Sequence, residues 1–119
     1  MVHDYKARIA EVDEYAIKLR ELIPETVSGF AALSKAAQTP GALDRKTKEM
    51  VAVAIAVAGR CDACIGYHAR GAQRAGATRQ ELAEVLAVAI QMGGGPSVNY
   101  AADALRAFDQ LSVQQKSQP

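Results

Sequence analysis

The chain has 119 residues, a formal net charge of +1 and 23% charged residues. That length suits one domain, long enough to bury roughly two-thirds of its unfolded surface. The charges are spread along the chain, so no basic stripe points to nucleic acid, and no stretch approaches the ~20 apolar residues of a membrane span.

Alanine is the commonest residue, there are four Tyr and two Phe, and Trp is absent. Alanine has the best helix propensity and is depleted in strands, so the composition predicts an all-α fold. With so few large side chains, a second subunit is expected to fill part of the core, giving a homo-oligomer. Met1 to Leu22 mixes Lys6, Arg8, Glu11, Asp13 and Glu14 with apolar residues. It has no uninterrupted apolar run of the kind a signal peptide needs, and a reducing, cytoplasmic location is the expectation.

In chain order, Ile9, Val12, Ala16, Leu19 and Ile23 recur at helical spacing from about Asp4 to Leu22, and Pro24 closes this first helix. A second helix, about Glu25 to Gln38, carries Val27, Phe30, Leu33 and Ala37, before Thr39-Pro40-Gly41 breaks the chain. Asp44 is a suitable N-cap for a third helix reaching about Gly59. Every residue from Met50 to Ala58 is apolar, which predicts burial on all sides. Cys61 to Ala75 reads as a fourth helix with Gly76 as its C′ residue. Thr78-Arg79-Gln80-Glu81 reads as a capping box opening a fifth, with Leu82, Val85, Leu86, Ala89 and Ile90 on one stripe. Gly93-Gly94-Gly95 is a hinge, not a phosphate loop, since no G-K-[ST] follows. Pro96 suits the first position of a sixth helix lined by Val98, Ala101, Leu105 and Phe108. Residues 112–119 are polar and expected to fray, and His3, near the N-terminus, is assigned no role.

The stretch from Val51 to Ala58 also alternates β-branched residues with alanine, as a strand would. A strand running into C-x-x-C would look like thioredoxin, with Pro96 as its cis-proline. No second convincing strand accompanies it, and Arg60 stands where thioredoxin has Trp.

The only two cysteines form Cys61-Asp62-Ala63-Cys64, with His68 four residues further on. A pair at a helix start is within disulfide reach, and the free N–H groups of a first turn favour a thiolate. Cys61 and Cys64 are i,i+3 neighbours and Cys64 and His68 are i,i+4 neighbours, so the three share a face. His68 can then take a proton from Cys64. Folding back about Gly59-Arg60 sets Glu49 level with His68 to Ala72, where its carboxylate can orient the imidazole. As the last charged residue before the apolar run, Glu49 is expected to be partly buried, which raises a carboxyl pKa. Arg60 favours a thiolate beside the pair and Asp62 opposes it.

Glu49, the apolar third helix, the Cys61 to His68 segment, the Gly71 to Gly76 stretch and Met92-Gly-Gly-Gly-Pro-Ser97 together resemble the alkylhydroperoxidase AhpD-like fold, in the carboxymuconolactone decarboxylase superfamily. The resemblance runs from about Leu43 to Leu111. It implies an all-helical, trimeric or hexameric protein with no bound cofactor, working through a redox-active Cys61–Cys64 disulfide. It further implies that Cys64 attacks a peroxide or disulfide, Cys61 resolves the sulfenic acid, and His68 and Glu49 move the protons. A thiol or lipoyl-type donor would recycle the disulfide. AhpD carries a histidine before the second cysteine, where this chain has Ala63, and is a longer, two-repeat protein. Two other functions fit the residues: a lyase of the decarboxylase branch acting on a small organic acid or lactone, and a zinc site made by Cys61, Cys64 and His68 with Glu49 or a neighbouring subunit. A c-type haem is excluded, because no His directly follows the second Cys.

Overall fold

A computed structural model describes residues 4–112, and within them six helices account for all the regular structure. They are α1 (Tyr5–Leu22), α2 (Pro24–Gln38), α3 (Arg45–Ala58), α4 (Asp62–Arg74), α5 (Arg79–Gly93) and α6 (Gly95–Gln110). Of the tail expected to fray, only Ser112 is described, its N–H donating to Asp109 O at 3.4 Å; residues 113–119 and His3 lie outside the described range.

The helix starts follow their side-chain chemistry. Asp4 caps α1 through the Ala7 N–H, Asp44 caps α3 through the Thr47 N–H, and Thr78 with Glu81 forms a reciprocal capping box on α5. Each such cap satisfies an N–H that the helix itself cannot, an effect of about 1 kcal/mol. The Val51–Ala58 alternation belongs to helix α3, and no cis peptide occurs among the described residues, so neither thioredoxin feature is present. Pro96 occupies the second, not the first, position of α6, because Gly95 is already helical. Gly94, at φ 80°, makes the turn between α5 and α6.

The core lies among α3, α4, α5 and α6, with the first half of α1 laid across α4 and α6. Val53, Val57, Ile65, Leu82 and Ala104 are fully buried there, and Phe108 nearly so. Burying each of the larger aliphatic side chains stabilises the fold by about 1.5–3 kcal/mol. Small residues such as Ala69, Ala72 and Ala107, all at zero exposure, let the helix axes approach closely.

Three expectations about the core require correction. α3 is not buried on all sides: Val51 and Ile55 are 47% and 66% exposed. The described helices packed on α3, chiefly α4 and α5 with smaller contacts from α6 and α2, leave these two side chains uncovered. The apolar stripe of α2 is not core either, since Phe30 and Leu33 are 68% and 63% exposed and no residue of α2 is buried. With the end of α1, where Leu19 and Ile23 are also exposed, α2 forms an arm whose apolar face is left uncovered by the other described residues. Val98 is half exposed, and Ser97 takes the buried place beside the α5–α6 turn.

Candidate active site

α3 and α4 form a helical hairpin, and its turn sets the dithiol. Gly59 caps α3, and the two residues after it close a Schellman motif: Arg60 N–H donates to Val57 O (3.2 Å) and Cys61 N–H to Ala56 O (3.0 Å). The left-handed position usually taken by glycine is held by Arg60, at φ 58°. At the end of α4 the same motif uses Gly76, at φ 93°. The α3–α4 turn is thus hydrogen-bonded onto α3 and delivers Cys61 directly to the start of α4.

Cys61 is not the first residue of the helix, as the sequence suggested, but its N-cap. Its backbone is extended, and its sulfur accepts the Cys64 N–H at 3.3 Å. Cys64 lies within the first turn. The two sulfurs are bonded as a disulfide, with the Cα atoms 5.3 Å apart. Both residues are half-buried. Asp62, between them, is drawn toward α1, where its Oδ1 lies 3.3 Å from Arg8 Nη2. The carboxylate opposed to a thiolate therefore has a cation of its own.

One turn beyond Cys64, His68 meets Glu49 across the hairpin, with Nδ1 and Oε1 2.7 Å apart. Glu49 is 4% exposed. Its second oxygen, Oε2, accepts from Arg45 Nε and Nη2, both at 3.2 Å. Burial disfavours a carboxylate, while a guanidinium at this distance favours it. The close approach depends on Gly71. A Cβ there would overlap the carboxyl carbon and both oxygens of Glu49, so only glycine leaves the slot through which the side chain reaches His68. Arg45, Gly71 and Arg8 were not singled out in the sequence as site residues. Arg45 could have been found, since Arg45 and Glu49 are an i,i+4 pair; Gly71 and Arg8 depend on contacts between elements.

A cavity of about 430 Å³ opens onto this pair, lined by Lys35, Gln38, Arg45, Glu49 and His68 among others. Its outer wall is the last turn of α2, pinned to α3 by Lys48, whose Nζ donates to Ala37 O (3.0 Å) and Thr39 O (2.6 Å). The side-chain oxygen of Gln38 is buried without a partner among the described residues. Among those residues no three His, Cys, Asp or Glu side chains are grouped so as to hold a metal ion. No described helix is long and apolar enough to cross a membrane.

The arrangement supplies a bond that two electrons can open, a sulfur on a helix N-terminus, and an imidazole held in one orientation by a buried carboxylate. The model of the carboxymuconolactone decarboxylase family matches residues 24–107. An uncharacterized protein of Cupriavidus necator is 44% identical over 113 residues, covering 95% of this chain and all of the other. A second, from the cox locus of Paracoccus denitrificans, is 42% identical over 69% of this chain and 74% of its own length. The crystal structure of an apo carboxymuconolactone decarboxylase family protein from Legionella pneumophila superimposes with a TM-score of 0.88 at 45% identity, covering 91% of this chain and 96% of that one. A Thermotoga maritima member of that family, described as "possibly involved in antioxidative response", gives a TM-score of 0.70 at 28% identity, with 86% and 93% coverage.

Proposed function

Since the chain belongs to the carboxymuconolactone decarboxylase family, we propose that it is a thiol-dependent peroxidase of the AhpD-like kind, cycling Cys61 and Cys64 between dithiol and disulfide. The observation that carries the reading is a Cys61–Cys64 disulfide placed one turn from a histidine that a buried glutamate orients.

In the reduced protein the Cys64 thiolate attacks the distal oxygen of a hydroperoxide. The O–O bond breaks, the alkoxide leaves, and His68, as imidazolium, returns the proton that gives the alcohol. Cys64 is then a sulfenic acid. Cys61, as thiolate, displaces hydroxide from that sulfur to form the disulfide, and a proton makes water. The Cys64 N–H aimed at Cys61 Sγ favours the charged sulfur in this step. A thiolate of a small dithiol donor, of the lipoyl type, or of another thiol attacks Cys64 and releases Cys61 as the stabilised thiolate; the donor's second thiol, or a second thiol molecule, then attacks the donor sulfur of the mixed disulfide, releases Cys64 and leaves the donor as its disulfide. Glu49 keeps the imidazole aligned throughout, and Arg45 holds Glu49.

The cycle needs a reducing compartment, so a cytoplasmic location belongs to the same proposal. So does self-association. The uncovered apolar side chains of α2 and the outer face of α3 suit a second copy of the chain, in a trimer or hexamer.

The test is steady-state reduction of cumene hydroperoxide with dihydrolipoamide as donor. Turnover that falls by about 100-fold or more in His68→Ala and Glu49→Gln is expected from loss of general acid–base catalysis. Turnover that persists in Cys64→Ser would contradict the assignment, and activity on a lactone acid independent of both cysteines would support the lyase branch instead.

A further inference from the structure

A second cavity, of about 310 Å³, lies between the start of α3 and the second half of α4, with Glu49 in its lining. Three guanidiniums line it, those of Arg45, Arg70 and Arg74, against a single carboxylate, Glu49. That carboxylate is already used: Oε1 by His68 and Oε2 by Arg45. Arg70 stacks over the Tyr67 ring, 5.3 Å from its centroid, and neither Arg70 nor Arg74 has an ion-pair partner among the described residues. Asp13, which shares the adjoining cavity with both arginines, accepts the Tyr67 hydroxyl and forms no ion pair with either. The cavity therefore holds two guanidinium forks without an ion-pair partner among the described residues, beside an aromatic ring.

Guanidinium forks match the planar geometry of a carboxylate, with two parallel N–H donors for two oxygens. Beside the forks, the Tyr67 ring and the small residues Gly71 and Ala75 offer apolar surface on which a stem of carbon can lie. Arg70 and Arg74 lie six and ten residues beyond Cys64 on one helix, about 9–15 Å along its axis. A molecule anchored there reaches the sulfur only through an extended chain.

We propose that this cavity binds the carboxylate of an aliphatic acid, making fatty-acid hydroperoxides the substrate class of the dithiol. The proposal rests on the peroxidase reading for the reaction at the far end of the chain. Arg70 and Arg74 grip the carboxylate, and the acyl chain runs back along α4 past Glu49 toward His68 and Cys64.

The test is calorimetric titration of the disulfide form with octanoate, using 1-octanol and inorganic phosphate as comparison ligands. Octanoate is expected to bind about tenfold or more tightly than 1-octanol, as charge-assisted hydrogen bonds imply. Arg70→Gln/Arg74→Gln should lose most of that advantage while keeping wild-type helical circular dichroism. Arg74→Gln alone, at an exposed position in the last turn, should move affinity the same way. Equal binding of octanoate and 1-octanol, tighter binding of phosphate, or undiminished affinity in the double variant would overturn the proposal. Because the disulfide form and an inert acid are used, the two readings fail separately. A protein that binds octanoate but leaves cumene hydroperoxide intact keeps the acid site and loses the peroxidase assignment.

Discussion

Glu49 and Gly71 face each other across the α3–α4 hairpin so closely that the carboxyl group fills the space a Cβ at 71 would need. The contact brings Glu49 Oε1 to 2.7 Å from His68 Nδ1 while the side chain remains almost fully buried. The Glu49–His68 contact therefore depends on an absent methyl group three residues beyond the histidine.

Gly71→Ala should consequently act on both stability and chemistry. The carboxylate must move or the helices must part, and overpacking of this kind costs about 1–3 kcal/mol. With Glu49 displaced, His68 loses its orienting partner, and turnover of hydroperoxide should fall by about 100-fold, toward that of Glu49→Gln. Thermal denaturation and steady-state kinetics read the two effects. Wild-type turnover in a folded Gly71→Ala protein would show that the Glu49–His68 contact is dispensable.

Arg60→Gly should separate stability from reactivity in the opposite sense. Arg60 occupies the left-handed position at φ 58°, which costs a non-glycine residue about 1–2 kcal/mol. Glycine removes that cost, so the melting temperature should rise by several degrees. The same change takes a positive charge from beside the dithiol, so reaction of the reduced protein with iodoacetamide at pH 7 should slow. Unchanged alkylation would mean that Arg60 serves the turn alone.

Tyr5 gives a signed pH dependence. Its side chain is fully buried, the hydroxyl has no hydrogen-bond partner among the described residues, and burial, followed by the charges of Asp103 and Asp62, pushes its phenol up to about 12. The unfolded chain ionises this group near 10, so the folded state holds the proton more tightly. Its contribution to stability is complete below pH 10 and is lost as pH rises through 12. Tyr5→Phe should be at least as stable as wild type at pH 7, because an unsatisfied buried hydroxyl is removed. Its stability should also fall less steeply above pH 10. Tyr67, likewise pushed up to about 12 by burial and its hydrogen bond to Asp13, leaves part of the alkaline loss in place. Melting temperatures of the two proteins between pH 7 and 11.5 test the sign.

Much of the fold was legible because local chemistry marks its ends. Asp44, the Thr78–Glu81 box and Gly76 each do in the structure what their residue types predict. The helical spacing of the Cys61–His68 segment and the hairpin register were enough to place Glu49 opposite His68. What the sequence left open depends on contacts between distant residues. An unbroken apolar run such as Met50–Ala58 has no polar face, so nothing in it marks Val51 and Ile55 as the uncovered side. The stripe of α2 has the right period but is left uncovered by the other described residues. The Gly71 to Gly76 stretch carries part of the family resemblance, but the need for glycine at 71 shows only once the opposing carboxylate is located, and the Arg8–Asp62 pair joins residues 54 positions apart.

The central claim is that Cys64 takes oxygen from a peroxide and Cys61 resolves it. The most direct measurement is a single-turnover thiol count. Reduced wild type, Cys61→Ser and Cys64→Ser are each given one equivalent of cumene hydroperoxide, and free thiols and dimedone-trapped sulfenic acid are followed by mass spectrometry. The account predicts rapid loss of both thiols in wild type, sulfenic acid trapped in Cys61→Ser, and an inert Cys64→Ser. Wild-type thiols that stay reduced over minutes, or sulfenic acid trapped at Cys61 in Cys64→Ser, would contradict it.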